Sequence, residues 1–211
     1  MKKKSNKQLA KEILNREIVA LKRTTKLLDI KFEKACSAII SNKGKVITLG
    51  IGKSSFIAMK MAATLSSTGT AALFLHPVDA LHGDVGVIKK NDVVIIYSNS
   101  GETQEVIKLL PLLKLLKCYI ISITGNLSSS LAKYSNISLD ASVTREACPH
   151  NLAPTSSIIC ALALSDALAL AVSVQNNFSI KDFAKTHPGG AIGKRLMVTV
   201  SSIMIKRNIP L

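Results

Sequence analysis

Three features of the sequence predict an α/β fold, with five parallel strands between two layers of helices and further helices at the N-terminus. Short apolar runs alternate with helix-patterned stretches through residues 46–175, and no hairpin signal joins any two runs. Residues 93–97, Val-Val-Ile-Ile-Tyr, have the unbroken hydrophobicity of a strand buried on both faces. Composition agrees: 47% of residues are hydrophobic but only 4% aromatic, with no tryptophan, so the core must be aliphatic. A chain of 211 residues is long enough to bury such a core in one domain.

The elements follow in order. Between residues 8 and 40, Leu9, Ile13, Ile18, Leu21, Leu27, Leu28, Ala35 and Ile39 recur at helical spacing. This predicts one long or two consecutive amphipathic helices for packing or self-association. Asn42-Lys43-Gly44 ends them, which places an N-terminal helical region at 1–44. Strands are expected at 46–49, 71–75, 93–97, 118–124 and 137–139. Helices are expected at about 56–66, up to about 116 (with a kink at Pro111), near 128–133, and over 155–175. A short segment at 180–185 completes the list.

In a parallel sheet, ligands sit beyond the carboxyl ends of the strands, where the glycine and serine turns lie. The first turn is Gly50-Ile51-Gly52-Lys53-Ser54-Ser55. It is neither a Walker loop, which needs glycine at Ile47, nor a dinucleotide fingerprint, which needs one at Ser55. With ATP and NAD unsupported, it remains a strand–turn–helix with Lys53 and Ser54 at its mouth, suited to an anion. The second is Ser98-Asn99-Ser100-Gly101-Glu102-Thr103. A close-approaching glycine, a helix N-terminus and the hydroxyls of Ser98, Ser100 and Thr103 make a phosphate pocket there. The same residues also suit an ordinary helix cap. His76 and His82 share a loop and read as metal ligands, caps or substrate contacts; no third ligand stands near them.

The formal charge is +15. Residues 1–45 hold thirteen Lys/Arg against four acids, which is +9 of that total, and the later lysines are dispersed without interleaved aromatics. That pattern describes a solvated basic helix surface rather than a nucleic-acid groove. The four cysteines are scattered and contain no Cys-x-x-Cys, so reduced thiols and a cytoplasmic location are expected. Residues 157–174 are apolar enough for a membrane but carry Asp166 in the middle, and are read as a buried helix. No membrane partner is expected.

The ordered motifs resemble the sugar isomerase (SIS) domain and, within it, the D-arabinose 5-phosphate isomerases. They are Gly50-Ile51-Gly52-Lys53-Ser54, Lys60-Met61-Ala62-Ala63-Thr64, Ser67-Thr68-Gly69-Thr70, His82-Gly83-Asp84, the 98–103 turn, Glu146-Ala147-Cys148-Pro149, residues 152–157 and His187-Pro188-Gly189-Gly190-Ala191. The resemblance implies a three-layer αβα, flavodoxin-like SIS domain over 45–195, assembled as a homotetramer with sites shared between subunits. It implies interconversion of D-ribulose 5-phosphate and D-arabinose 5-phosphate, feeding Kdo synthesis for lipopolysaccharide or capsule. The family's catalytic residues fall on Lys53, Glu105, Glu146 and His187. Sugar-phosphate contacts fall on Ser54, Gly69, Thr70, His82, Ser98, Asn99, Ser100 and Thr103. No cofactor is required, and in some members the position of His76 binds an inhibitory zinc. Two departures stand out. Ser55-Phe56 follows Gly-Lys-Ser where glycine is usual, and residues 196–211 resemble the start of a CBS module, so either a short form lacking the CBS pair or a truncated chain is expected.

Such an isomerisation needs a carboxylate that moves a proton between neighbouring carbons, its pKa best raised toward neutrality by partial burial. Glu146 is expected as the main base and Glu105, held ionised by its helix N-terminus, as the second acid–base group. Lys53 would steady the enediolate and His187 would assist ring opening. An isomerase for another sugar phosphate, or a non-catalytic sugar-phosphate sensor, remains open at this point.

Overall fold

The structure is a computed structural model, described here for residues 4–189. Five strands, β1 (Val46–Gly50), β2 (Ala72–Leu75), β3 (Val93–Tyr97), β4 (Tyr119–Thr124) and β5 (Ile137–Asp140), form one sheet in the order β2-β1-β3-β4-β5. Every pairing is parallel. This is the flavodoxin order, with its switch point between β1 and β3.

Successive residues of a strand point to opposite faces, so each strand feeds two cores. Ile47, Leu49, Val94, Ile96 and Ile120 pack beneath α4 (Pro77–Leu81), α5 (Gln104–Leu115) and α6 (Ser130–Tyr134). Val46, Val93, Ile95, Tyr97, Ile121 and Ile123 pack beneath α2 (Ile30–Ile40), α3 (Lys53–Ser67) and α7 (Ser156–Gln175). This double burial explains why the strands read as continuous apolar runs.

The N-terminal region is two helices. α1 (Asn6–Lys26) opens with a capping box between Ser5 and Gln8, and α2 restarts at Asp29, whose carboxylate accepts the Lys31 amide at 2.8 Å. Both pack on α7, and Ala35, Cys36 and Ile39 of α2 enter the main core. α1 leaves Leu9, Ile13, Leu14, Ile18 and Val19 exposed. In α7, the membrane-like segment, Asp166 pairs with Lys60 of α3, so its charge is met at the helix–helix contact.

Two expectations are corrected. α3 starts at Lys53 rather than near Phe56, because Gly52 adopts a left-handed φ of 59° and turns the strand directly into the helix. The loop expected after β2 contains α4 and a 3-10 turn, Asp84–Val87, both too short for a helical period to show in sequence. Pro111 lies exposed within α5 without ending it. α8 (Ile180–Thr186) follows α7. Gly190 to Gly193 and the CBS-like segment at 196–211 lie outside the described residues.

Candidate functional site

At the carboxyl ends of the strands a narrow crevice is lined by Ser54 from the start of α3, Ser98 and Asn99 after β3, Gly125 after β4 and Ser157 in α7. Its enclosed volume, about 20 Å³, takes little more than one water, so a sugar phosphate would lie across its mouth. Lys53 opens α3 at this mouth and is exposed.

The 98–103 turn has its hydroxyls largely engaged. Ser98 Oγ lies 2.9 Å from Thr103 Oγ1 and accepts the Gly101 amide at 3.0 Å, while Ser100 Oγ accepts the Glu102 amide at 3.2 Å. Gly101, at φ 69°, presses on Ser129, and a Cβ there would collide with that side chain. Ser98 and Thr103 thus also brace the turn, beside the phosphate contact expected of their hydroxyls. The exposed Asn99 and Ser100 and the first-turn amides of α5 remain as candidate anion contacts. Glu105 sits in that first turn, half-buried, and its carboxylate accepts no hydrogen bond among the described residues.

Glu146 differs sharply from Glu105. It is buried at the start of α7, where Oε2 accepts the Thr155 amide (2.8 Å), the Thr155 hydroxyl (3.2 Å) and the Ser157 amide (3.1 Å), and Oε1 accepts the Ser157 hydroxyl. Burial pushes its carboxyl upward, but the hydrogen bonds from Ser157 and Thr155 outweigh burial and hold it below its ordinary value. This direction runs against the raised pKa expected of a buried base, and the Glu146 carboxylate caps the N-terminus of α7. Its own loop is held in turn. Thr155 Oγ1 accepts the amides of Ala147 (2.9 Å) and Cys148 (3.2 Å), and Arg16 of α1 donates to the Ala147 carbonyl at 3.2 Å. In sequence Thr155 and Ser157 stand out only as part of the 152–157 motif, with no role assigned, and Arg16 does not stand out at all. The Pro154-Thr155-Ser156-Ser157 cap ahead of a long apolar helix was the signal for the first two, while nothing local marks Arg16.

Three expected site residues lie elsewhere. α3 carries the chain from the carboxyl to the amino end of the sheet, ~22 Å for its 15 residues. Gly69 and Thr70 form its far cap: the Thr70 amide donates to the Leu65 carbonyl at 2.8 Å, and Gly69 lies against Phe178. His187 is at the same end, its ring stacked 3.8 Å from Phe183, while the neighbouring Thr186 hydroxyl donates to the Ser67 carbonyl at 3.0 Å. Within one chain, then, Gly69, Thr70 and His187 are not brought to Lys53, Glu105 and Glu146, because a helix runs the depth of the sheet between them. The Thr70 hydroxyl is buried without a hydrogen-bond partner among the described residues.

His76 caps α4, its Nδ1 accepting the Val78 amide at 3.4 Å, and His82 follows that helix, exposed. No group of three His, Cys, Asp or Glu side chains able to hold a metal occurs among the described residues. One remaining imidazole nitrogen at His76 does not make a resident metal site.

A doubly covered parallel sheet in flavodoxin order, with serine- and glycine-rich turns at its carboxyl edge, defines an α/β domain of the kind that places ligands beyond the carboxyl ends of its strands. The chain belongs to the SIS domain family, whose model matches residues 39–171. It is similar to arabinose 5-phosphate isomerase KdsD of Pseudomonas aeruginosa, 53% identical over 173 residues, covering 82% of this chain and 53% of that protein. It is also similar to the KdsD of Francisella tularensis, 51% identical over 202 residues, covering 94% and 62% respectively. The chain therefore spans between half and two thirds of the length of these relatives. Among solved structures, an Escherichia coli CFT073 protein in complex with arabinose 5-phosphate superposes with a TM-score of 0.84 at 40% identity, covering 88% of this chain and all of that one.

Proposed function

We propose that the chain is an aldose–ketose isomerase interconverting D-ribulose 5-phosphate and D-arabinose 5-phosphate in the cytoplasm, supplying Kdo synthesis. The observation that carries this reading is the match, at 40% identity, to the whole of a structure that holds arabinose 5-phosphate. The local chemistry is consistent with it. A phosphate at the 98–103 turn would meet the Ser100 hydroxyl, the first-turn amides of α5 and the Lys53 ammonium.

For the proton transfer the environments favour Glu105 over Glu146. Glu146 already accepts four hydrogen bonds, three on Oε2 and one on Oε1, whereas Glu105 accepts none among the described residues. Glu105 removes the C2 proton of the open-chain aldose and delivers it to C1, as the hydroxyl proton passes from O2 to O1. Lys53 stabilises the enediolate oxygens between the two steps. Glu146 holds the α7 N-terminus so that Ser157 faces the crevice. His187, with Gly69 and Thr70, serves the site of a neighbouring subunit in a homotetramer, which is how residues at opposite ends of the sheet come to act together. This proton transfer calls for neither metal nor organic cofactor, so EDTA treatment should leave the rate unchanged.

The test is turnover of ribulose 5-phosphate followed by proton NMR. Arabinose 5-phosphate should accumulate to equilibrium. Inertness toward it, with turnover of another ketose phosphate, would reassign the substrate; inertness toward a whole panel would return the chain to the sensor class.

A further inference from the structure

We propose that the amino end of the sheet carries a second anion site, one that takes a polyphosphate group. The strands separate it from the crevice: β3 alone spans ~17 Å. A groove of about 660 Å³ opens there between the end of α2 and the loops entering β3 and β4. Three lysines line it, Lys34, Lys43 and Lys117, together with the side-chain amide of Asn91 and the half-buried ring of Tyr119, while the Asn42 amide on its wall is committed to the Lys45 carbonyl and the Gly44 amide. An adjoining groove shares Lys117 and Tyr119 and adds Lys114 and Lys133. No carboxylate lines either one. Asp92, next to the wall, is buried and committed to the Lys45 ammonium at 2.9 Å and the Lys89 amide at 2.8 Å.

Lysines near helix carboxyl ends have an ordinary explanation, since α2 and α5 both end here and each end carries about half a negative charge. Together those ends account for about one of the three ammoniums in the first groove, leaving about two positive charges unmatched. None of the five lysines forms an ion pair among the described residues. Backbone geometry points the same way. Lys117 directly follows the α5 cap, with a left-handed φ of 57°, where glycine ordinarily stands; Asn91 is also left-handed, at 69°. A lysine thus stands at a position that disfavours it. The groove falls within the usual size of small-ligand sites, far larger than one phosphate, and its charges are spread along it. A chain of phosphates fits that spread, either inorganic or on a nucleotide whose base would lie on Tyr119.

The experiment is calorimetric titration of the full chain with inorganic triphosphate, ATP and orthophosphate at fixed ionic strength. Triphosphate should bind at least about tenfold more tightly than orthophosphate. The combined variant Lys34→Gln, Lys43→Gln, Lys117→Gln should weaken triphosphate by roughly tenfold or more, against less than about twofold for a control with Lys11, Lys22 and Lys26 of α1 changed to Gln. Lys43→Gln alone, in an exposed turn, should give a smaller loss and covers the case in which the combined variant fails to fold. ATP binding more tightly than triphosphate, with the difference removed by Tyr119→Leu, identifies a nucleotide; equal affinities identify an inorganic chain. No triphosphate binding, or equal losses in both combined variants, overturns the proposal in favour of diffuse surface charge.

Discussion

Glu105 and Glu146 look interchangeable in sequence, and their surroundings separate them. Glu146→Gln should remove charge-assisted hydrogen bonds worth ~1.5–3 kcal/mol each and destabilise the fold measurably in urea at pH 7. Its depressed folded pKa gives the sign with pH. The stabilisation is present above the unfolded carboxyl value of 4.5 and is lost as pH falls through the lower folded value. Wild-type stability should therefore fall on acidification more steeply than that of Glu146→Gln. Glu105→Gln should do the reverse, changing the unfolding free energy measured in urea by no more than about 0.5 kcal/mol while abolishing washout of deuterium from C2 of arabinose 5-phosphate. Washout at the full rate in Glu105→Gln would return the base role to another group.

At the scale of elements, α1 is tied to the loop that carries Glu146. Arg16 holds the Ala147 carbonyl, and Arg23 donates to Ser142 Oγ at 3.3 Å, so α1 pins both halves of the segment from β5 to α7. Arg16→Met keeps the apolar stem and removes the donor. It should lower kcat several-fold through the Glu146 loop with KM nearly unchanged, and Arg16→Lys should recover part of the loss. Steady-state kinetics beside a thermal melt check this: a fall in melting temperature with kcat intact would mark Arg16 as structural only.

Over the whole molecule, the division of the expected site residues between the two ends of the sheet means that the proposed reaction would require assembly. α1 presents Leu9, Ile13, Leu14, Ile18 and Val19 on an uncovered face, and α7 adds Leu170 and Val174. A symmetric partner would cover such a surface. Inactive Glu105→Gln and inactive His187→Ala chains, unfolded and reassembled together, should regain activity in the hybrid sites that combine both wild-type groups. Mixed oligomers verified by mass spectrometry yet still inactive would place each site within one chain.

The sequence by itself determined the fold class, the strand positions and the places of the glycine- and serine-rich turns. Burial on both faces leaves an unmistakable mark on a strand such as Val93–Tyr97, and turns such as Gly50–Ser55 declare themselves by residue type. Motif order carried the family in the same local way. Tertiary structure decided what each group can do. That Thr155 and Ser157 occupy both oxygens of Glu146 depends on where a helix begins after a long loop, and neither spacing nor composition encodes a pKa. His187 and Thr70, matched to one site by motif, lie beyond the far end of α3. A motif records which residues are present, whereas their distance apart is set by the helix packed between them.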